Sequence, residues 1–188
     1  MGPRRGPAHD YVNRFVRSRR LLLYLDQNYL SGIAKRKPAF RELEPVLRDA
    51  VRRGAVEVPE SPVHRIESAA RPDLELLELL RELSGGLELD PERGPAERRC
   101  ETALRSALER EHPARKPEPS DERDLEALSL ALPRCDLVTC DAFMADLIRR
   151  ARLDVWFPCD IFTGRRRDVE RLRRRLEKHC HRPRTSMS

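Results

Sequence analysis

A chain of 188 residues, 39% hydrophobic and 37% charged, fits one domain with modest tails, a thin core and charged helix surfaces. It holds no run of about eighteen apolar residues, which excludes a membrane-spanning helix, and Met1–Asp10 puts no apolar stretch behind Arg4 and Arg5, unlike a secretory signal. The net charge of +6 is concentrated in Arg14–Arg20 and Arg165–Arg184 while Glu42–Asp90 leans acidic, which suits an acidic polymer as partner and equally suits solvated, arginine-rich helix faces.

Residues 1–18 read as a basic N-terminal arm. Arg20–Leu25 (RLLLYL) is an apolar run of strand length, followed at once by Asp26. Phe40, Leu43, Leu47 and Val51 recur at helical spacing and predict a helix over 38–53, ended by Gly54. Ala55–Val58 is a second strand, stopped by Pro59. Ser61 as N-cap and Pro62 in the first turn start a helix reaching about residue 70. Leu76, Leu77, Leu80 and Leu83 line one face of another helix over 73–83, closed by Gly85-Gly86. Residues 85–120 carry prolines at 91, 95, 113, 117 and 119 around one helix near 96–110. This stretch reads as an irregular, solvent-exposed insertion or else a lid. Ser120 caps a helix over 121–132, Asp136–Thr139 is the third strand, and 141–151 is helical. Val155–Phe157 is the fourth strand. A last helix over 166–179 turns Val169, Leu172 and Leu176 inward, before a basic tail at 181–188. Strands alternating with helices predict a three-layer α/β/α domain over 19–180 with a short, mostly parallel central sheet.

Sites in open parallel sheets lie beyond the carboxyl ends of the strands. There the chain puts Asp26 after strand one, Ser61 and then Glu67 after strand two, Thr139 and Asp141 after strand three, and Asp160 after strand four. Asp124 falls in line with the apolar row Leu128, Ala131 and Cys135, and Glu67 with Val63 and Ala70, so both carboxylates face inward or toward a cleft. Burying such groups alone is costly. At about 5 Å and an effective dielectric of about 20, each pair repels by roughly 3 kcal/mol, so something positive belongs among them. Hard oxygen donors select Mg²⁺ or Mn²⁺ rather than zinc, and such an ion beside a phosphodiester orients water and stabilises the leaving oxygen. Each residue also has a plainer role when taken singly. Asp26, Asp141 and Asp160 fit as N-caps, Asp121 and Glu122 as first-turn acids, and Glu67 as a surface residue. Only the joint placement of Asp26, Glu67, Asp124 and Asp141 favours a site. His64 is either a phosphate contact or a structural histidine. The five cysteines form no CxxC pair and read as reduced thiols of a cytoplasmic protein.

Leu22–Leu30 (LLYLDQNYL), Val58–Ala70 (VPESPVHRIESAA) and Asp124–Leu147 (DLEALSLALPRCDLVTCDAFMADL) together resemble the PIN-like nuclease family. The resemblance covers under a third of the chain, and its most specific part is the strand ending in Thr-x-Asp. It implies that Asp26, Glu67, Asp124 and Asp141 are catalytic carboxylates, with Asp26, Asp124 and Asp141 on Mg²⁺ or Mn²⁺. It also implies that Thr139 lines the site and that Asn28 is a polar partner of Asp26. Asp121 competes with Asp124 for the third acidic position, and 85–120 is longer than a minimal domain of this family requires. The implied activity is a metal-dependent endoribonuclease, either a toxin held by an antitoxin-like partner or an RNA-processing enzyme; homodimers are common in the family. Two alternatives stand beside it. One is a non-catalytic RNA-binding or protein-interaction module on the same fold. The other is a phosphatase-like hydrolase with Asp26 as nucleophile, which Asn28 disfavours because that chemistry wants a second aspartate there.

Overall fold

Residues 20–69, 72–115 and 118–181 are described by a computed structural model; the expected arm at 1–18 and the tail beyond His181 lie outside the described residues. Strands β1 (Leu21–Tyr24), β2 (Val56–Glu57), β3 (Leu137–Cys140) and β4 (Asp160–Thr163) form one all-parallel sheet in the order β2-β1-β3-β4. The connecting helices are α1 (Gln27–Ala34), α2 (Leu43–Arg52), α3 (Pro62–Ala69), α4 (Leu76–Ser84), α5 (Pro95–Glu111), α6 (Pro119–Ala131), α7 (Ala142–Arg150), α8 (Leu153–Trp156) and α9 (Arg166–Cys180).

The period of two along each strand sends alternate side chains to opposite faces, and each face builds its own core. Leu23, Leu25, Leu137 and Phe162 pack with α1, α2, α4 and α9. Tyr24, Val138, Cys140 and Ile161 pack with α5, α6 and α7, joined by Val63 of α3. The three-layer α/β/α expectation therefore holds. Register aligns Tyr24 with Val138 and Cys140 with Thr163, so β1, β3 and β4 run out at one common edge. Gly54, at φ +64, makes the left-handed turn between α2 and β2 that other residues adopt with strain.

Three expectations are corrected. The helix predicted over 38–53 is a 3₁₀ turn at Pro38–Phe40 followed by α2. Val155–Phe157 is not the fourth strand: Val155 and Trp156 lie exposed in the single-turn α8, and Pro158 has no N–H for a ladder. The strand comes later, where Ile161 and Phe162 are buried. Asp160 consequently opens β4 at the opposite edge of the sheet, exposed, its Oδ2 accepting from Arg175 Nε at 3.1 Å. Finally, 85–120 is not padding. Cys100, Leu104 and Ala107 of α5 are buried against α6 and α7. Arg134, just ahead of β3, donates from Nε to Glu97 at 2.8 Å and ties the start of α5 to the sheet's N-terminal edge.

Candidate functional site

Asp26 leaves β1 at the common edge and Thr139 sits near the end of β3, one residue short of Cys140. The fully buried Thr139 hydroxyl accepts from the Asp26 N–H at 2.7 Å and donates to Asp26 Oδ1 at 2.9 Å. This two-way bond joins adjacent strands far apart in sequence and fixes the Asp26 carboxylate. Oδ1 also accepts from the Tyr29 N–H at 3.1 Å, capping α1, and Oδ2 accepts from Asn28 Nδ2 at 3.2 Å. Burial still pushes the Asp26 carboxyl up, against the pull of Thr139 and the backbone. Asp141 holds the equivalent place after β3, and its Oδ1 caps α7 through the Met144 N–H at 2.7 Å. Both the capping role and the edge placement are thus realised in the same two residues.

Glu67 of α3 and Asp124 of α6 arrive at this edge from helices that pack on one another. Burial pushes the Asp124 carboxyl up to about 7, reinforced by repulsion from Glu67, Asp141 and Asp26. Burial raises Glu67 too, with Asp26 adding repulsion and Arg123 opposing it. Beneath them Tyr24 is buried, and Glu67, Asp26 and Asp124 add to the burial that raises its hydroxyl. The four expected carboxylates therefore share one electrostatic neighbourhood. One positive group lies at this edge beside Glu67, namely Arg123, which sequence reasoning missed although it adjoins Asp124. Its Nε lies 3.9 Å from Glu67 Oε1 and is buried with no hydrogen-bond partner.

Asp121, one turn before Asp124, is differently employed. Arg115 grips it through two bonds, at 3.1 and 2.7 Å, and it accepts from the Glu118 N–H at 3.1 Å to complete a capping box. The Arg115 bonds hold its carboxyl below the usual range. Arg115 also lies over the Phe143 ring at 4.3 Å and feels Asp141, so it flanks the acidic edge.

His64 is buried and spent on structure. Its Nδ1 accepts from the Ser61 N–H at 2.9 Å, so Nε2 carries the proton and donates to Leu25 O at 2.7 Å. The ring stacks on Tyr24 with centroids 5.0 Å apart, and burial lowers its pKa. A phosphate contact from this position is ruled out by burial; the residue instead fixes the backbone just ahead of Asp26. Where β4 runs out, Thr163 donates from N–H and hydroxyl to Asp168, a further acid that sequence reasoning missed because the strand was misplaced.

The donor set at the edge is carboxylate oxygen, which suits a hard divalent cation. Buried acids that repel one another, beside an orphaned cationic Nε, mark a place where added positive charge is favourable. Among the described residues, no group of three or more histidine, cysteine, aspartate or glutamate side chains is drawn together closely enough to hold a metal ion as it stands. No helix among the described residues is long and apolar enough to cross a membrane. Comparison with protein-family models, curated proteins and solved structures returned no match.

Proposed function

We propose that this chain is a Mg²⁺- or Mn²⁺-dependent endoribonuclease of the PIN-like type, with Asp26, Glu67, Asp124 and Asp141 as its acidic site. The observation that carries the reading is the arrival of these four carboxylates from four separate parts of the chain at the C-terminal edge of a parallel sheet, where α/β enzymes keep their sites. A bound divalent cation would be held by Asp26, Asp124 and Asp141, and would supply Lewis-acid stabilisation of the phosphodiester and a more acidic water.

The protein groups have separate tasks. Thr139 and Asn28 orient the Asp26 carboxylate, and the Met144 N–H orients that of Asp141. Asp124, whose carboxyl stands at about 7 in the metal-free protein, would give up its proton on taking up the cation and hold it together with Asp26 and Asp141. Glu67 completes the acidic ring. Arg123 flanks it and suits the phosphate backbone of the substrate. An antitoxin-like partner and a homodimer belong to the same proposal.

The capping bonds of Asp26 and Asp141 favour a second reading, a non-catalytic RNA-binding module in which these residues are structural. Cleavage of a mixed-sequence labelled RNA by wild type and Asp26→Asn, each with Mn²⁺, Mg²⁺ or EDTA, decides between them. Metal-dependent cutting lost in the variant is the expected result. RNA retained without cutting in either metal would move the assignment to the binding module.

A further inference from the structure

At the opposite edge of the sheet the surface changes character. Trp156 and Val155 of α8 are 61% and 64% exposed, the most exposed large apolar side chains among the described residues. Trp156 forms one wall of an open groove whose other wall is the start of α5, from Pro95 through Arg98, Arg99 and Thr102 to Ala103. The lining is mostly carbon, and the guanidinium groups of Arg98 and Arg99 stand beside it. Other arginines around α5 are committed. Arg93 pairs with Glu101 and Glu126, Arg105 with Glu101 and Glu122, and Arg134 with Glu97. Arg98 and Arg99 instead reach only backbone carbonyls, of Arg93 and Pro95, and neither is paired with an acid among the described residues.

We propose that this groove docks an acidic, amphipathic segment of a partner protein, its apolar side chains against Trp156 and its carboxylates on Arg98 and Arg99. Charge complementarity selects this occupant. The chain's own ends carry the wrong sign: residues 1–18 hold four arginines against one aspartate, and 182–188 hold two arginines and no acid. A second copy in a two-fold contact would set the same arginine pair against its own symmetry mate. Two exposed apolar side chains are too few for stable seating in a lipid surface. An RNA strand would leave the carbon-lined wall unused beyond one stacked base. The interface matches a common anatomy, an aromatic and aliphatic centre with arginine at its rim. Because Arg134 and Glu97 place the start of α5 at the sheet's N-terminal edge, the docked segment leaves the acidic edge open.

Trp156 is the sole tryptophan, so its emission reports this groove alone. The full-length protein is titrated with a synthetic helix-forming peptide bearing leucine on one face and glutamate on the other. The same peptide with lysine for glutamate, a single-stranded RNA and phosphatidylserine-containing vesicles are titrated alongside. The expected result is a saturable blue shift with the glutamate peptide alone, weakened at least about tenfold in Arg98→Glu/Arg99→Glu, whose thermal midpoint matches wild type because both side chains are exposed. No saturable shift, an equal shift with the lysine peptide, or a response confined to RNA or vesicles would overturn the proposal. Emission already blue-shifted and reverting on dilution would assign the face to a second copy and overturn it too.

Discussion

Acidic side chains live in two regimes in this molecule. On the helix surfaces arginines answer them: Arg48 bridges Glu44 and Glu82, Arg105 bridges Glu101 and Glu122, and Arg150 bridges Asp146 and Glu111. At the C-terminal edge of the sheet, Asp26, Glu67, Asp124 and Asp141 repel one another, and the ion pair there is Arg123 to Glu67 at 3.9 Å. Helix α6 holds both regimes one turn apart. Asp121 is gripped by Arg115 and held low, whereas Asp124 is pushed up to about 7. On these helix surfaces a cation lies beside each of the acids named. Where the pairing is deficient, the folded chain carries repulsion that binding of positive charge relieves.

Replacing one member of the edge breaks this comparison most sharply. Asp124→Asn is expected to lower metal-dependent cleavage by about 10²–10⁴-fold while raising stability at pH 8 by about 1–3 kcal/mol, because a repulsion goes. Parallel cleavage assays and urea melts read both. Loss of activity together with loss of stability would place Asp124 among the structural acids.

The pH dependence follows with a fixed sign. A carboxyl near 7 in the folded protein and about 3.9 when unfolded binds more protons folded than unfolded between those values. The contribution of Asp124 to the stability of the metal-free protein therefore falls as pH rises from about 4 to about 7, by about 2–4 kcal/mol before solvent screening trims it. Saturating Mn²⁺ should flatten this descent, and so should Asp124→Asn. Asp121 sharpens the contrast with the opposite sign. Its lowered carboxyl contributes stability above about pH 4 that is lost as pH falls through its folded value. Asp121→Asn should cost about 1–3 kcal/mol at pH 7, with metal-dependent cleavage retained when assayed well below the melting temperature. Arg123→Gln carries the smallest effect, a loss of about 1 kcal/mol at pH 8. The loss should shrink at pH 5, where Glu67, raised by burial, is less fully ionised.

Much of the edge was legible because it is local. Asp26 and Asp141 follow apolar runs of strand length, and helical spacing aims Glu67 and Asp124 inward. What stayed hidden depends on distant partners. Asp121 and Asp124 are equivalent by pattern, and only Arg115, arriving from a proline-rich stretch, tells them apart. His64 gives no sign of its bond to Leu25 O across the first crossover. The core role of α5 was masked by flanking prolines, although Cys100, Leu104 and Ala107 recur at helical intervals. Asp160 was misplaced because Val155–Phe157 has strand composition, while Pro158 and the buried pair Ile161–Phe162 put the strand later.

The strand order has a consequence for biosynthesis. β3 is threaded between β1 and β4, and Thr139 supplies the hydroxyl that locks Asp26. A ribosome-bound chain truncated before residue 139 has Asp26 and Glu67 but neither Thr139, which holds Asp26, nor Asp141. The acidic edge therefore stays unassembled through most of translation and comes together only as the last third of the chain emerges.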